Sequence, residues 1–134
     1  CPSGWTTTEN SCYKFVQTQK SWQEARDDCR SQGAGLVSVD SAAEHVRLTW
    51  LQTQVDYYQP WWWIGLNDLQ SETSFTWSNG KPLTVTYWIA GEPNDSSGNE
   101  DCVEMQGSYQ QAWNDQSCQM QNYYICEINK GRAT

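Results

Sequence analysis

An α+β domain built on an antiparallel sheet is what the sequence predicts, and three observations carry that prediction. Two helix-start signatures fall in the first half of the chain. Short segments rich in Val, Ile, Tyr and Trp, punctuated by turn residues, follow toward the C-terminal end. Six cysteines, Cys1, Cys12, Cys29, Cys102, Cys118 and Cys126, form an even set without a CxxC pair, the pattern of an oxidised extracellular protein. At 134 residues the chain is read as one domain, 1–134.

The helices come from capping boxes. Ser21-Trp22-Gln23-Glu24 and Ser41-Ala42-Ala43-Glu44 each set a Ser hydroxyl to take a first-turn amide and a Glu to reach back to the cap. The first helix is expected to bury Trp22, Ala25 and Cys29 and to stop before Gly33. The second runs from about Ala42 to Gln54 with Val46 and Trp50 on one face, and His45 is read as a surface residue. Strands are expected at Leu36–Val39, Trp63–Leu66, Phe75–Trp77, Val85–Trp88, Cys102–Met105 and Tyr123–Ile128, with Ser78-Asn79-Gly80 as a hairpin turn. Helices first and strands later is the α+β arrangement. Between Tyr87 and Ile125 the strand signal is broken by Gly, Pro, Asn, Asp and Ser into a long loop-rich excursion, read as an ordered functional loop because Trp88, Trp113, Cys102 and Cys118 lie in it. Alternation through Trp61-Trp62-Trp63 buries one or two of the three, leaving any exposed one for an interface or an extended glycan.

Composition removes several functions. Hydrophobic residues make up only 37% of the chain but aromatics 13%, with nine Trp and seven Tyr, so the core is aromatic and the chain is no disordered acidic one. A net charge of -8 disfavours nucleic acid and anionic membrane surfaces. The single histidine excludes a multi-histidine zinc site, and no nucleophile is signalled around it, so no enzyme is expected. No stretch approaches the ~20 apolar residues needed to cross a bilayer. The chain opens on Cys1-Pro2-Ser3-Gly4 without a charged-then-apolar leader, and the expectation is a secreted, extracellular protein without membrane insertion.

The negative charge is concentrated. From Pro82 to Asn129 there is no Lys or Arg, yet Glu92, Asp95, Glu100, Asp101, Glu104, Asp115 and Glu127 all fall there. Gathering such carboxylates on one ordered loop costs repulsion unless a cation compensates it. Oxygen donors alone, with Asn94, Asn99 and Asn114 interleaved and no histidine or free thiol, select a hard cation, and irregular spacing suits Ca²⁺ better than Mg²⁺. Pro93 could hold the Glu92 and Asn94 side chains on one side, most readily through a cis bond. Two neighbouring ring hydroxyls of a sugar could then bind the ion, donate to carboxylates such as Glu92 and Glu100, and accept from the amides of Asn94 and Asn114.

At these residues the sequence resembles a C-type lectin domain of the long form, over essentially the whole chain. The resemblance rests on Cys1-Pro2-Ser3-Gly4-Trp5 with Cys12-Tyr13, the helix ending at Cys29, Trp63-Ile64-Gly65-Leu66, Glu92-Pro93-Asn94, Glu100-Asp101-Cys102, Trp113-Asn114-Asp115, Cys118 and Tyr124-Ile125-Cys126. It implies the C-type lectin-like fold, two helices packed on antiparallel sheets with a long calcium-binding loop region, and the disulfides Cys1–Cys12, Cys29–Cys126 and Cys102–Cys118. It implies a sugar-binding calcium site at Glu92, Asn94, Glu100, Asn114 and Asp115, and a second, structural calcium site at Asp68, Glu72, Asp95, Glu100 and Asp101. Tyr109, in the loop leading to Trp113, could form an apolar wall beside the sugar or be an ordinary loop aromatic.

In such lectins Glu-Pro-Asn accompanies mannose, fucose or N-acetylglucosamine, whereas Gln-Pro-Asp, often with a following Trp, accompanies galactose. Here Asp95-Ser96-Ser97-Gly98 follows with no Trp, so a mannose-type glycan is the expected partner and galactose the alternative. One shallow site binds weakly, so a noncovalent homo-oligomer is expected to supply avidity. Two rival readings are a mineral-, ice- or protein-binding module on the same fold, and a hydrolase using Glu92 and Glu100 as paired carboxylates.

Overall fold

In the computed structural model of the chain, which describes residues 1–8, 11–55, 61–69, 75–81, 83–88, 101–106 and 113–129, helix α1 (Trp22–Ser31) begins at a complete capping box. Ser21 Oγ accepts from Glu24 N, and Glu24 Oε1 accepts from Ser21 N at 3.1 Å. The helix ends at Gln32, and Gly33 takes the left-handed conformation with φ 75°. Its buried face is Trp22, Ala25 and Cys29, as the spacing predicts, and Trp22 Nε1 donates to Ile64 O at 2.9 Å.

Helix α2 (Ala42–Val55) departs from expectation. Ser41 Oγ accepts from Glu44 N, but Glu44 reaches to Asp40 N, one residue further back than a capping box requires. The buried stripe is His45, Leu48, Thr49 and Gln52, while Val46 and Trp50, 65% and 59% exposed, share the opposite, outer face. Reading His45 as a surface residue is therefore wrong: it is 3% exposed, its ring covered by Tyr87. Thr49 can take the inner face because a local bond satisfies its hydroxyl, Oγ1 donating to His45 O at 2.9 Å.

The described residues form eight strands in one sheet: β1 (Thr6–Thr7), β2 (Ser11–Lys20), β3 (Gly35–Leu36), β4 (Trp61–Asn67), β5 (Thr76–Trp77), β6 (Cys102–Gln106), β7 (Trp113–Gln116) and β8 (Asn122–Asn129). The main path is β1-β2-β8-β4-β6-β7, with β3 paired to β8 and β5 to β4. All pairings are antiparallel except β4 beside β8, where Trp62 faces Tyr123 and Trp63 faces Tyr124 in parallel. The order of elements is not helices first: β1 and β2 precede α1, and β2 supplies the long partner of β8. The expected Leu36–Val39 strand pairs only through Leu36, although Val37 N still donates to Ile125 O. Residues 85–88 form no strand, only a single bridge between Trp88 and Trp113.

The core is aromatic. Trp22, Trp62, Trp63, Trp77 and Trp113 are fully buried, so two of the three consecutive tryptophans are core while Trp61 is half-buried. Both Trp62 and Trp63 can be buried because β4 is covered on each face, Trp62 joining the cluster of Val37, Leu48 and Ile125, and Trp63 that of Trp22, Leu36 and Tyr124. At Gly65 a Cβ would stand 2.9 Å from both Leu36 O and Ser78 Oγ, so the strand can approach only as glycine. The three disulfides are Cys1–Cys12, Cys29–Cys126 and Cys102–Cys118. No helix among the described residues is long and apolar enough to cross a membrane.

Candidate functional site

Four of the residues singled out as ligands fall within the described structure, and they lie on two neighbouring features. Asp68 follows the last residue of β4 and Asp101 precedes the first of β6; Asn67 pairs with Cys102, and Asp68 N donates to Asp101 O at 3.0 Å. Two of the five expected members of the structural calcium site are thus adjacent along the backbone. Asp101 Oδ1 is buried with no hydrogen-bond partner among the described residues, an arrangement a carboxylate oxygen tolerates when a cation is to be its partner.

Asn114 and Asp115 lie on β7, which the sequence suggests to be loop. Residue pairs across β6 and β7 are Val103 with Asp115 and Glu104 with Asn114. Alternation puts Asp115, fully buried, on the face of Trp113 and Val103, and Asn114, half-buried, on the face of Glu104. β7 is the outermost strand, and Trp113 N donates outward, away from β6, to Tyr87 O at 2.8 Å. The two-residue repeat of a strand turns the Asp115 N–H and carbonyl to the same outer side. An outer-facing carbonyl between an amide and a carboxylate side chain is a donor set for a hard cation. The described oxygens fit Ca²⁺ in kind, though among the described residues no three His, Cys, Asp or Glu side chains suffice by themselves. The remaining expected residues, Glu72, Glu92, Asn94, Asp95, Glu100 and Tyr109, lie outside the described residues.

Two of the seven acids in the lysine- and arginine-free segment need no cation to explain them. Glu127, on β8, accepts from Ser11 Oγ at 2.6 Å and Ser38 N at 3.1 Å, and burial pushes its carboxyl above the ordinary carboxylate value. Glu104, on β6, accepts from Asn114 Nδ2 at 2.8 Å and Asn122 Nδ2 at 2.9 Å. From the sequence Glu104 counts only as charge; its one distinguishing signal is a glutamate set between the apolar Val103 and Met105.

The family model described as "Lectin C-type domain" matches residues 18–128. Among curated proteins, C-type lectin domain family 4 member M of Hylobates lar is 40% identical over 130 residues, 95% of this chain and 31% of the relative. The chain spans about a third of the length of the curated relatives it matches. Among solved structures, the C-type lectin CEL-I of Cucumaria echinata superposes with a TM-score of 0.92 at 31% identity, covering 97% of this chain and 98% of that one. The cow C-type carbohydrate-recognition domain of CD23, solved in the presence of a GlcNAc2Man3 oligosaccharide, gives 0.86 at 36% identity, covering 100% and 97%.

Proposed function

We propose, because the chain belongs to the C-type lectin domain family, that it is a secreted, non-enzymatic module that binds terminal mannose-type sugars through calcium. The observation that carries this reading is the succession of Asn114 and Asp115 on β7, the outermost of the described strands, where strand alternation from the outward-donating Trp113 N turns the Asp115 carbonyl outward. Glu92, Asn94 and Glu100 complete the proposed ligand set with those two. A bound Ca²⁺ supplies coordination positions for two vicinal hydroxyls. The carboxylates accept hydrogen bonds from the two hydroxyls and the asparagine amides donate to the hydroxyl oxygens, which leaves no hydrogen-bonding capacity of those hydroxyls unused. Asp68 and Asp101, with Glu72, Asp95 and Glu100, hold a second, structural ion.

Carboxylates committed to a cation are unavailable for proton transfer, which supports binding over hydrolysis. The mannose preference rests on Glu92-Pro93-Asn94, and the oligosaccharide present with the similar cow domain supports it. A site that engages one or two hydroxyl pairs of a single sugar binds it weakly, so noncovalent assembly of several copies supplies the avidity. Retention on immobilised mannose, with galactose in parallel, in millimolar Ca²⁺ and then EDTA tests the proposal. Retention on mannose released by EDTA supports it. Retention on galactose alone overturns the specificity, and none on either favours a module that binds mineral, ice or protein.

A further inference from the structure

Glu104 belongs to none of the ligand positions above, yet it is the side chain that orients one of them. It stands directly across from Asn114 in the β6–β7 pairing, is 3% exposed, and spreads its two carboxylate oxygens between Asn114 Nδ2 at 2.8 Å and Asn122 Nδ2 at 2.9 Å. A carboxylate can only accept, and an asparagine has one donor end and one acceptor end. The pairing therefore decides which end of Asn114 faces β6: one Nδ2–H is committed to Glu104, leaving Oδ1 and the second Nδ2–H for other partners. Those are the two functions the lectin site asks of Asn114, an oxygen for the ion and an N–H for a sugar hydroxyl.

We propose that Glu104 is the positioning residue of the sugar-binding calcium site, locking the Asn114 amide so that Oδ1 is presented to the cation and one N–H to the sugar, with Asn122 holding Glu104 from behind. The proposal rests on the calcium-dependent reading above. A glutamine at position 104 would fill the same space but carry an N–H₂ end. One of its two neighbouring amides must then turn, and when Asn114 turns, its Oδ1 is spent on Gln instead of the ion.

The test is calcium titration by calorimetry on wild type, Glu104→Gln, Asn114→Ala and the double variant, with melting temperatures in EDTA. Side-chain amide NMR of the metal-free wild type provides a readout that needs no ion. Expected results are a loss of calcium affinity of roughly 10–100-fold in Glu104→Gln, no further loss when Glu104→Gln is added to Asn114→Ala, and slow solvent exchange of one Asn114 Nδ2 proton in the wild type. Undiminished calcium affinity in Glu104→Gln overturns the proposal, as does an additive loss in the double variant. If Glu104→Gln fails to fold, an Asn114 side-chain amide exchanging as fast as an exposed asparagine overturns it equally. A wild type that binds no calcium sinks the underlying calcium reading with it, whereas a wild type that binds normally beside an unaffected variant sinks this inference alone.

Discussion

His45 lies flat on Tyr87, with ring centroids 3.7 Å apart and planes within 1° of parallel. The stack ties α2 to the strand that carries Asn114 and Asp115, because Tyr87 O accepts from Trp113 N and the His45 ring also meets Trp113 edge-on at 6.2 Å. Truncating it by His45→Ala opens a hole beneath the helix and is expected to cost on the order of 2 kcal/mol. His45→Phe, which keeps a flat ring, is expected to recover most of that. Urea unfolding measures both, and an unchanged midpoint for His45→Ala would show that the stack contributes nothing.

A Cβ added at Gly65 would meet backbone, not yielding side-chain tips, on two of its three close approaches: Leu36 O at 2.9 Å and Val37 O at 3.1 Å. Gly65→Ala is expected to push β4 away from that segment and to destabilise the fold by roughly 1–3 kcal/mol. The Gly65 N to Val37 O bond, 2.9 Å long, should loosen with it, so amide exchange at Gly65 is expected to quicken along with a lower melting temperature. Wild-type exchange and melting in the variant would contradict this packing.

Glu127 imposes a pH dependence with a definite sign. Burial raises its carboxyl above the ordinary 4.5, against the lowering effect of Ser11, Ser38 and Lys81. The folded chain then holds a proton that the unfolded chain has already lost, so stability is highest below the unfolded value and declines as pH rises from there through the raised folded value. Glu44, also raised by burial and by Asp40, adds the same sign. Glu127→Gln is therefore expected to flatten the decline without abolishing it, whatever its effect on absolute stability. Unfolding curves across the acid to neutral range test this, and a slope identical to wild type would contradict it.

The disulfides differ in what they close. Cys29–Cys126 spans 97 residues and ties α1 to β8, whereas Cys1–Cys12 spans 11 at the sheet edge. Chain entropy alone makes the longer closure worth about 4–5 kcal/mol and the shorter about 3. Replacing Cys29 and Cys126 together by alanine is expected to lower the melting temperature more than replacing Cys1 and Cys12. The reverse order would mean that folded-state contacts, not loop closure, govern these bridges.

How far the sequence was legible depended on whether a signal was local. The α1 boundaries were readable because Ser21, Glu24 and Gly33 act within one turn of their own positions. The inner face of α2 was not, because His45 is covered by Tyr87, distant in sequence, and Thr49 is satisfied by the backbone, whereas hydropathy points to Val46 and Trp50. Strand β2 was hidden by its polar outer half, Gln17 to Lys20, and β7 by the loop-like residues Asn114 and Asp115, which are strand only because β6 pairs with them. In the candidate site, residue type and charge clustering point to Asp101, Asn114 and Asp115 as oxygen donors, and the family resemblance adds Asp68. Glu104 escaped because its role exists only across the strand pairing.

Direct coordination of sugar by the ion makes a thermodynamic demand that tests the central claim most sharply. Calcium should be titrated calorimetrically into the metal-free chain with and without saturating methyl mannoside. If the sugar binds on the ion, each ligand must tighten the other by the same factor. The account predicts saturable calcium binding with a component that strengthens when mannoside is present, and in Asp115→Ala that mannoside-sensitive component disappears. Calcium binding that is indifferent to the sugar, or sugar binding that proceeds undiminished in EDTA, would contradict it.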